Sequence, residues 1–468
     1  MALNKAQLGS EFARDGRCVR LPCDALSRSA STLLVLCAAG FALALLFGGG
    51  VARAGRPREG AAAGFYVYGP AGYTATGGYG KPIVRVTNTN DHGAGSLREA
   101  VTCSGGCTIS CTGLAGTIRL ESQIVIQQSN LTIDCSDAMA PGVQITGEAV
   151  DTGALIQVNA SNVVLRYLRV RGAATTCGAA NNQQCDIDMI NVIGGSDIVL
   201  DHVSLTGATD GLLDIVGSHS RVTVQHSILS RPSYAGYDPQ LTVTLLGGLQ
   251  GVTLSGVAWY RNLFSTYGDR APSIQASSAS ASSILLVENV FYDFVYATRM
   301  VHYDSRGSLY VDAVRNVFKR GPSGRAAPFY DHEKLPIYVR DYENDGKVYV
   351  AGSNALIDNG SRRWSQIWPV TYGPYDAFSL EVASLPNGIP TTSCTIAPCA
   401  QRTTATNSYW MYPTAEITPT QVMAKVLGTV GGSLPVRDSL DAQIVNDVST
   451  GTRSVPFPPG NPTLPILN

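Results

Sequence analysis

Asp197-Ile-Val-Leu-Asp is a short strand pattern that decides the fold, because close copies of it recur along the chain. The other copies keep its apolar positions: Asn130-Leu-Thr-Ile-Asp, Asn162-Val-Val-Leu-Arg, Arg221-Val-Thr-Val-Gln, Gly251-Val-Thr-Leu-Ser, Ser283-Ile-Leu-Leu-Val and Ser308-Leu-Tyr-Val-Asp. Successive copies are 24 to 35 residues apart, a spacing typical of one structural unit of a solenoid. Each unit offers two or three short apolar strands with Gly, Asn or Ser corners and no helix between them. Stacking would pair every strand with its equivalent in the next coil and bury one continuous core. We therefore predict an all-β protein, a right-handed parallel β-helix.

The two ends of the solenoid are predicted to differ from its repeated coils. Ser96-Leu-Arg-Glu-Ala-Val has a capping-box start and predicts a short helix that covers the open edge of the first coil. The strand repeat fades beyond about residue 321, and a second short helix is expected at residues 420–427. We therefore expect a β-helix domain at 65–330 and a C-terminal extension at 331–468 that packs along it. A β-sandwich is the alternative, but the hairpin dipeptides Asn-Gly and Asp-Gly are scarce between the apolar runs.

The composition and the N-terminus indicate an exported protein. Charged residues make up 15% of the chain and the net charge is -1, which argues against disorder and against nucleic-acid binding. Residues 32–47 are apolar, follow several basic residues and precede Ala52-Arg-Ala, the layout of a signal peptide. We expect a leader at 1–54, a secreted monomer and no stable membrane insertion. An uncleaved membrane anchor is the alternative.

Eight cysteines remain after the leader, an even number that indicates disulfides in an exported chain. Local pairs are expected for Cys177 with Cys185 and for Cys394 with Cys399. The sequence does not rank the three possible pairings of the other four, which are Cys103, Cys107, Cys111 and Cys135. A zinc site is the weaker alternative, because no histidine or Cys-x-x-Cys pair completes it nearby.

Four carboxylates lie in two neighbouring units: Asp186, Asp188, Asp210 and Asp214. In a strand, residues i and i+2 share a face, so the first pair projects together, and one coil later the second pair can lie alongside. Like charges that close repel unless a cation joins them, and hard oxygen ligands favour Ca²⁺. The alternative is a set of solvated loop aspartates.

Four other polar residues, Asp201, His202, His226 and Arg270, have structural explanations. Asp201-His202 and His226 interrupt apolar strands and are expected to be hydrogen-bonded structural residues. Without a Gly-x-Ser-x-Gly motif, acyl chemistry by a Ser/His/Asp triad is not indicated. Arg270 follows two units after the carboxylates, and an ion pair with Asp269 or another surface acid would be its structural role.

Several segments, in shared order, resemble the pectate lyases of polysaccharide lyase family 1. They run from about residue 77 to 318 and reappear near the C-terminus: Gly77-Gly-Tyr-Gly, Gly93-Ala-Gly-Ser-Leu-Arg-Glu-Ala-Val, Val164-Leu-Arg-Tyr-Leu-Arg-Val-Arg-Gly, Val199-Leu-Asp-His-Val-Ser with Thr209-Asp, and Leu434-Pro-Val-Arg-Asp-Ser-Leu-Asp-Ala-Gln-Ile-Val.

The resemblance implies Ca²⁺ at the four carboxylates, with Asp186 and Asp188 as the first pair and Asp210 and Asp214 as the second. It also implies that Arg270, with Pro272 two residues on, is the base of a β-elimination. An arginine normally stays protonated, so acting as a base requires a site that disfavours its charge.

Two positions depart from the family pattern. The family has a second basic residue shortly after the arginine, where this chain has Gln275, and a lysine in the coil after the calcium acids. Gln275 is therefore the expected substrate-binding position, and Arg231 is expected to replace the lysine, because a guanidinium can hold a carboxylate with two hydrogen bonds.

These observations predict a Ca²⁺-dependent pectate lyase acting on polygalacturonate or a related acidic polysaccharide. Two other functions remain open at this point: a β-helix that binds polysaccharide without cutting it, and a hydrolase of the polygalacturonase type that would use paired aspartates to activate water.

Overall fold

A computed structural model gives the fold of this chain. The residues it describes are 66–147, 150, 153–172, 187–232, 242–248, 252–268, 270–275, 282–294, 298–302, 309–319, 321–322, 337–341, 347–350, 355–357, 367–372, 377–382, 401–403 and 417–454. Among these residues, no helix is both long and apolar enough to cross a membrane.

Short strands make up most of the described chain. The first ten are β1 (Ile83–Arg85), β2 (Thr108–Ser110), β3 (Gly116–Arg119), β4 (Ile124–Ile126), β5 (Leu131–Asp134), β6 (Val143–Thr146), β7 (Gly153–Asn159), β8 (Val163–Arg166), β9 (Arg169–Arg171) and β10 (Ile187–Gly194). The next ten are β11 (Ser196–Asp201), β12 (Ser204–Thr206), β13 (Leu213–Val216), β14 (His219–Gln225), β15 (Ile228–Ser230), β16 (Leu245–Gly247), β17 (Leu254–Tyr260), β18 (Leu263–Tyr267), β19 (Ser273–Gln275) and β20 (Ser282–Val287). The last ten are β21 (Val290–Phe294), β22 (Thr298–His302), β23 (Leu309–Val314), β24 (Val317–Lys319), β25 (Ile337–Asp341), β26 (Lys347–Val350), β27 (Ala355–Ile357), β28 (Ile367–Tyr372), β29 (Ala377–Val382) and β30 (Gln401–Thr403).

The strands form three long sheets in which every third strand is a neighbour. Sheet 1 has 11 strands, from β1, β2 and β5 through every third strand to β26 and then β30. Sheet 2 has 10 strands, from β4 through every third strand to β25, followed by β29 and β28, and sheet 3 has 9 strands, from β3 to β27. The pairing between successive coils is parallel, which is incompatible with a β-sandwich of antiparallel hairpins. The predicted parallel β-helix is confirmed.

The core lies inside the coils because each short strand turns one or two aliphatic side chains inward. Ile198 and Leu200 of β11 are buried, and their strand neighbours in sheet 1 carry Val222 and Val224 at the same register. Inside the coil, Phe264, Phe291 and Phe318 stack on one another, with ring centroids 4.8 and 4.7 Å apart. Stacking like on like in successive coils gives the continuous core that the repeat predicts.

A repeated left-handed corner turns the chain from sheet 1 into sheet 3. The corner residues include His202, His226 and Arg261, with φ of 54, 49 and 53°, a region that costs a non-glycine residue energy unless its surroundings support it. Support comes from the residues that follow: Asn262 donates through its side-chain amide to Asn289 at 3.1 Å, and Asn289 donates to the next asparagine at 3.0 Å. The buried amides thus satisfy one another along the corner.

The N-terminal end of the core is capped as predicted. Helix α1 (Leu97–Ala100) begins at Ser96, whose side chain accepts a hydrogen bond from the Glu99 backbone N–H, and Leu97 and Ala100 are buried against the first coil. Disulfides join Cys103 to Cys107 and Cys111 to Cys135, which answers the pairing that the sequence left open. The predicted Cys177–Cys185 and Cys394–Cys399 pairs lie outside the described residues.

At the C-terminal end, the parallel ladders continue beyond residue 330, where the sequence repeat fades. Strands β25, β26 and β27 extend sheets 2, 1 and 3 by one more coil. Helices α2 (Pro419–Thr429) and α3 (Ser439–Thr450) then pack on the outside of sheet 3. There Val422, Val426 and Ile444 form a second apolar cluster with residues of β15, β18, β21 and β24 such as Ile228 and Leu263. α2 includes the helix expected at 420–427.

Candidate metal and catalytic site

Two neighbouring strands of sheet 2 bring acidic side chains to the outside of the coil. Strand β10 pairs in parallel with β13, with Asn191 opposite Asp214. Leu213 and Ile215 are in the core, so Asp214 between them points outward. Asp188 shares that outer face, because the Asn191 side-chain amide donates a hydrogen bond to its Oδ2 at 3.2 Å.

Three of the four predicted carboxylates meet in one cluster. Asp188, Asp210 and Asp214 each offer a carboxylate oxygen, and these oxygens lie within 4.8 Å of one another. Asp188 and Asp214 are buried, whereas Asp210, in the turn before β13, is half-buried. Asp186, the fourth predicted member, lies outside the described residues. The register of two adjacent coils thus produces the juxtaposition that the sequence predicts for this set.

Backbone groups hold two of the carboxylates in place. The Gly211 N–H donates to Asp188 Oδ1 at 2.7 Å, and the Leu245 N–H donates to Asp214 Oδ1 at 2.8 Å. Gly211 lies so close to both acids that a Cβ added there would come 2.3 Å from Asp214 Oδ1 and 2.9 Å from Asp188 Oδ1. The two carboxylates therefore occupy the space that a side chain at position 211 would fill.

The electrostatics of this cluster favour a bound cation. Burial raises the pKa of Asp214 to about 7; the Leu245 N–H and Arg270 oppose the rise, and the charge of Asp210 adds to it. Three carboxylates at this separation cannot all ionise cheaply without a positive charge among them. An all-oxygen donor set on an irregular loop and two strands suits Ca²⁺, which accepts about six to eight oxygen ligands, including waters and substrate oxygens. The residues present fit that ion.

Arg270 lies next to this cluster, two coils after Asp214. It precedes β19, its carbonyl accepts a hydrogen bond from the Thr244 N–H at 2.6 Å, and the Ser273 N–H returns one to the Thr244 carbonyl at 2.8 Å. Thr244 is followed directly by Leu245, whose N–H binds Asp214. The charge of Arg270 acts on Asp214 and lowers the pKa of that carboxyl. The structure therefore brings together the arginine and the acids that the sequence singled out.

Gln275 lies on the same face, displaced along the strand. Ile274 is in the core, so its neighbours Ser273 and Gln275 point outward from β19. Gln275 is opposite Gly247, which in turn is opposite Val216, two residues beyond Asp214. Gln275 therefore lies two strands from Asp214 and two residues further along the strand direction.

The structure places Arg231 elsewhere. It follows β15 in sheet 3 and is buried, and burial lowers its pKa to about 10, with Arg171 lowering it further and Asp447 of α3 raising it. Its described electrostatic neighbours thus belong to sheet 3 and the helix that covers it, and the carboxylate cluster is not among them. The described contacts give no support to Arg231 as the substitute for the family's lysine.

The Asp201–His202 pair has the structural environment expected for it. Asp201 is buried and accepts hydrogen bonds from Arg166 at 3.0 Å and from Gln225 at 2.8 Å. Burial alone would raise its pKa, but the hydrogen bond and charge of His202, with the charge of Arg166, lower it to about 2. His202 stacks on His226 with centroids 4.9 Å apart, and burial lowers the pKa of His226 to about 4. These residues stabilise the outer surface of sheet 1, away from sheet 2.

Two residues of the site escaped the sequence analysis. Gly211 follows Asp210 directly. A glycine beside an acid only weakly indicates that a carboxylate excludes a side chain at that position. Asn191 lies three residues after Asp188, a spacing that does not share a face in a regular strand. Met189 and Ile190 are both in the core, so the alternation of β10 breaks there and Asn191 reaches Asp188. The Asn191 Oδ1 is buried and accepts no hydrogen bond from the described residues, so it adds another oxygen near the cluster.

No family model matches the sequence. Among curated proteins, the chain is 27% identical over 391 residues to the probable pectate lyase C of Aspergillus terreus, covering 82% of this chain and 76% of that protein. The corresponding protein of Aspergillus fumigatus is 26% identical over 383 residues, covering 81% and 75%. A tomato protein, probable pectate lyase P56, is 31% identical over 169 residues, covering 33% and 40%.

Solved structures with a similar chain course include a thermostable pectate lyase, 15% identical, with a TM-score of 0.49 and coverage of 77% of this chain and 96% of that one. Another is a pectate lyase from Bacillus sp. N165 in complex with trigalacturonate, 14% identical, with a TM-score of 0.43 and coverage of 78% and 98%. The fold assignment rests on the strand pairing of this chain itself.

Proposed function

We propose, from the premise that this chain is a homologue of the pectate lyases, that it cleaves polygalacturonate or a related uronic acid polymer by β-elimination. The observation that carries the proposal is the cluster of Asp188, Asp210 and Asp214 on the outer face of sheet 2, with Arg270 beside it. The curated relatives are named probable pectate lyases, as the resemblance of the sequence segments predicts.

The three clustered acids would hold Ca²⁺, together with Asp186 if that residue joins them. Bound there, Ca²⁺ would neutralise the uronate carboxylate and so lower the cost of the charge that develops when the neighbouring C5 proton leaves. Gly211 and Leu245 fix the two buried acids through their backbone N–H groups, so little reorganisation is needed when the ion arrives. Asn191 orients Asp188 from the side.

Arg270 is the proposed base. In its neutral guanidine form, a side-chain nitrogen would take the C5 proton and become guanidinium. The C4–C5 double bond would form, and the C4–O bond would break with its electron pair leaving on oxygen. Proton transfer from solvent to that oxygen completes the cleavage and leaves an unsaturated uronate end. The Arg270 backbone is hydrogen-bonded to Thr244, and the next residue, Leu245, donates to Asp214, so base and acid are linked through one short segment.

The two rival functions are less well supported. Inverting glycosidases separate their two carboxyl groups by about 6.5–9.5 Å to admit a water, whereas here the oxygens of three acids lie within 4.8 Å of one another, closer than that role requires. A polysaccharide binder without catalysis would not need a buried acid cluster whose ionisation is opposed by its surroundings.

The test is to incubate the protein with polygalacturonate, with and without a chelator, and to follow the ultraviolet absorbance of unsaturated ends. We expect absorbance that grows only when Ca²⁺ is present and that is nearly abolished by Arg270→Ala. Reducing ends without absorbance would indicate the hydrolase, and normal turnover by Arg270→Ala would refute the assigned base. An Arg270→Lys variant keeps a cation at the site and separates the loss of the base from the loss of charge.

We also propose that the protein is secreted after removal of residues 1–54 and acts as a monomer. The two disulfides in the first coils support an oxidising compartment. N-terminal sequencing of the secreted form tests the leader, and light scattering tests the monomer.

A further inference from the structure

The coils that carry the site are poor in positive charge. Residues 173–298 contain four arginines, no lysine and ten carboxylates. A polymer with a carboxylate on every sugar would meet a strongly acidic part of the molecule there.

Three of the four arginines are engaged away from the outer face of sheet 2. Arg221 pairs with Asp197 at 2.6 Å, and Arg261 pairs with Glu288 at 2.7 Å. Arg231 is buried near Arg171 and under helix α3. Arg270 is therefore the one basic side chain of this segment for which the described contacts show a place beside the acid cluster.

The outer face of sheet 2 is neutral on both sides of the acids. Strands β4, β7, β10, β13, β16 and β19 contain no lysine, arginine or histidine. Their outward residues are amides and aliphatic groups, such as Gln157 and Asn159 of β7, Val216 of β13 and Gln275 of β19. The register joins Gln157, Asn191 and Asp214 in one row across adjacent strands. The next basic residue of that row is Arg299, one strand beyond Ser273.

From this arrangement, and resting on the proposed lyase function, we infer that the substrate carries its free carboxylate at the cleaved sugar and uncharged units on either side of it. Strands follow one another every ~4.8 Å, so a polymer lying across them presents successive sugars to successive strands. Only the sugar at the acid cluster meets a cation and Arg270. On the β10 and β7 side, its neighbours meet the amides of Asn191 and Gln157. On the other side they meet Leu245 and Ser273, with Gln275 two residues further along β19. The amides donate and accept hydrogen bonds with hydroxyl or ester groups, and none of these side chains neutralises a carboxylate.

Two sources supply this chemistry: a uronate polymer whose neighbouring carboxylates are methyl-esterified, and a polymer in which uronates alternate with neutral sugars. The position of Gln275 makes the inference specific, because a basic residue there would restore recognition of a second carboxylate. Gln275 is thus the proposed specificity-determining residue on the β19 side.

The experiment measures kcat/KM, from unsaturated ends, on galacturonan preparations graded from unesterified to highly methyl-esterified, with an alternating uronate–neutral sugar polymer as a separate arm. We expect a maximum at intermediate esterification, exceeding the unesterified polymer by roughly tenfold, the value of one unfavourable contact of 1.4 kcal/mol. A higher value on the alternating polymer would assign the neutral units to sugars rather than esters. Gln275→Arg should move the maximum toward the unesterified polymer, whereas Gln443→Arg, which adds the same charge on α3, should not.

A rate that is highest on the unesterified polymer and falls steadily with esterification would overturn this inference and leave the proposed function intact. A Gln275→Arg profile identical to that of the unmodified protein would overturn the role of Gln275. Absence of unsaturated ends from every polymer would instead refute the proposed function itself.

Discussion

Replacing Gly211 with alanine should weaken Ca²⁺ binding without unfolding the protein. The added Cβ would lie 2.3 Å from Asp214 Oδ1 and 2.9 Å from Asp188 Oδ1. Both contacts are shorter than a Cβ tolerates, so an atom must move. Both acids are buried and each accepts a backbone hydrogen bond, so neither can move away freely. The backbone of Gly211 is not in the left-handed region, so the substitution acts through space rather than through φ.

The size of the effect follows from this overlap. Forcing one extra methyl group into a packed site typically costs about 1–3 kcal/mol. Because the displaced atoms are the proposed ligands, most of that energy should be lost from ion binding, which corresponds to a roughly 5- to 150-fold rise in the Ca²⁺ dissociation constant.

The assay is calorimetric titration of chelator-treated protein with Ca²⁺, with thermal unfolding in chelator as the check on the fold. Gly428→Ala is the matched control, because a Cβ at this exposed position of α2 meets no atom within 4 Å. The control should bind Ca²⁺ normally and be slightly more stable, since alanine is favoured over glycine in a helix by about 1 kcal/mol. Unchanged Ca²⁺ affinity in Gly211→Ala would refute the location of the metal site.

Three further predictions concern stability and pH. Burial raises the pKa of Asp214 from 3.8 to about 7, so its contribution to stability is complete below about pH 4 and is lost progressively as the pH rises through 7. In chelator, the unmodified protein should therefore lose stability relative to Asp214→Asn between about pH 4 and 7, and added Ca²⁺ should reverse the trend. If denaturant melts of the two proteins run parallel across that range, the raised pKa is wrong. Asp441→Ala removes a fully buried partner of Arg171, 2.8 Å away. In urea titrations the free energy of unfolding should fall by about 3 kcal/mol. A loss below about 1 kcal/mol would show that Asp438 alone satisfies that arginine. Arg231→Ala should lower the melting temperature and leave the KM for the polymer unchanged, whereas a raised KM at unchanged stability would return Arg231 to the substrate site.

The repeat of apolar strand positions predicted most of the fold because its physical cause is local. Every coil needs inward aliphatic residues, as in Asp197-Ile-Val-Leu-Asp, whatever the length of the loops between coils. The β-helix continues beyond its predicted end near residue 330, because β25 and β26 still carry aliphatic residues opposite those of the preceding coil: Val339 is opposite Met300, and Val348 is opposite Val311. The disulfide pairing depends on how the first coils are stacked, and spacing along the chain does not encode it.

Some residues of the candidate site could likewise be predicted from the sequence, and others could not. Asp188 and Asp214 could be predicted because strand alternation and the coil repeat fix the face on which they lie. Arg231 could not be placed, because a single residue after β15 decides whether a side chain turns toward sheet 2 or toward the helices on sheet 3. Gly211 matters through its contact with Asp188 of the preceding coil, and Asn191 through a break in the alternation of β10; the pattern of consecutive residues signals neither.

The central claim is that the acid cluster and Arg270 perform an elimination, and the mass of the products tests it most directly. Digestion of a short galacturonate oligomer with Ca²⁺ present, followed by mass spectrometry, should give one fragment of each pair that is lighter by one water than a hydrolysis fragment, because a C4–C5 double bond replaces the added water. Asp214→Asn and Arg270→Ala should yield no such fragment. Fragments whose masses sum to the oligomer plus one water would contradict the account.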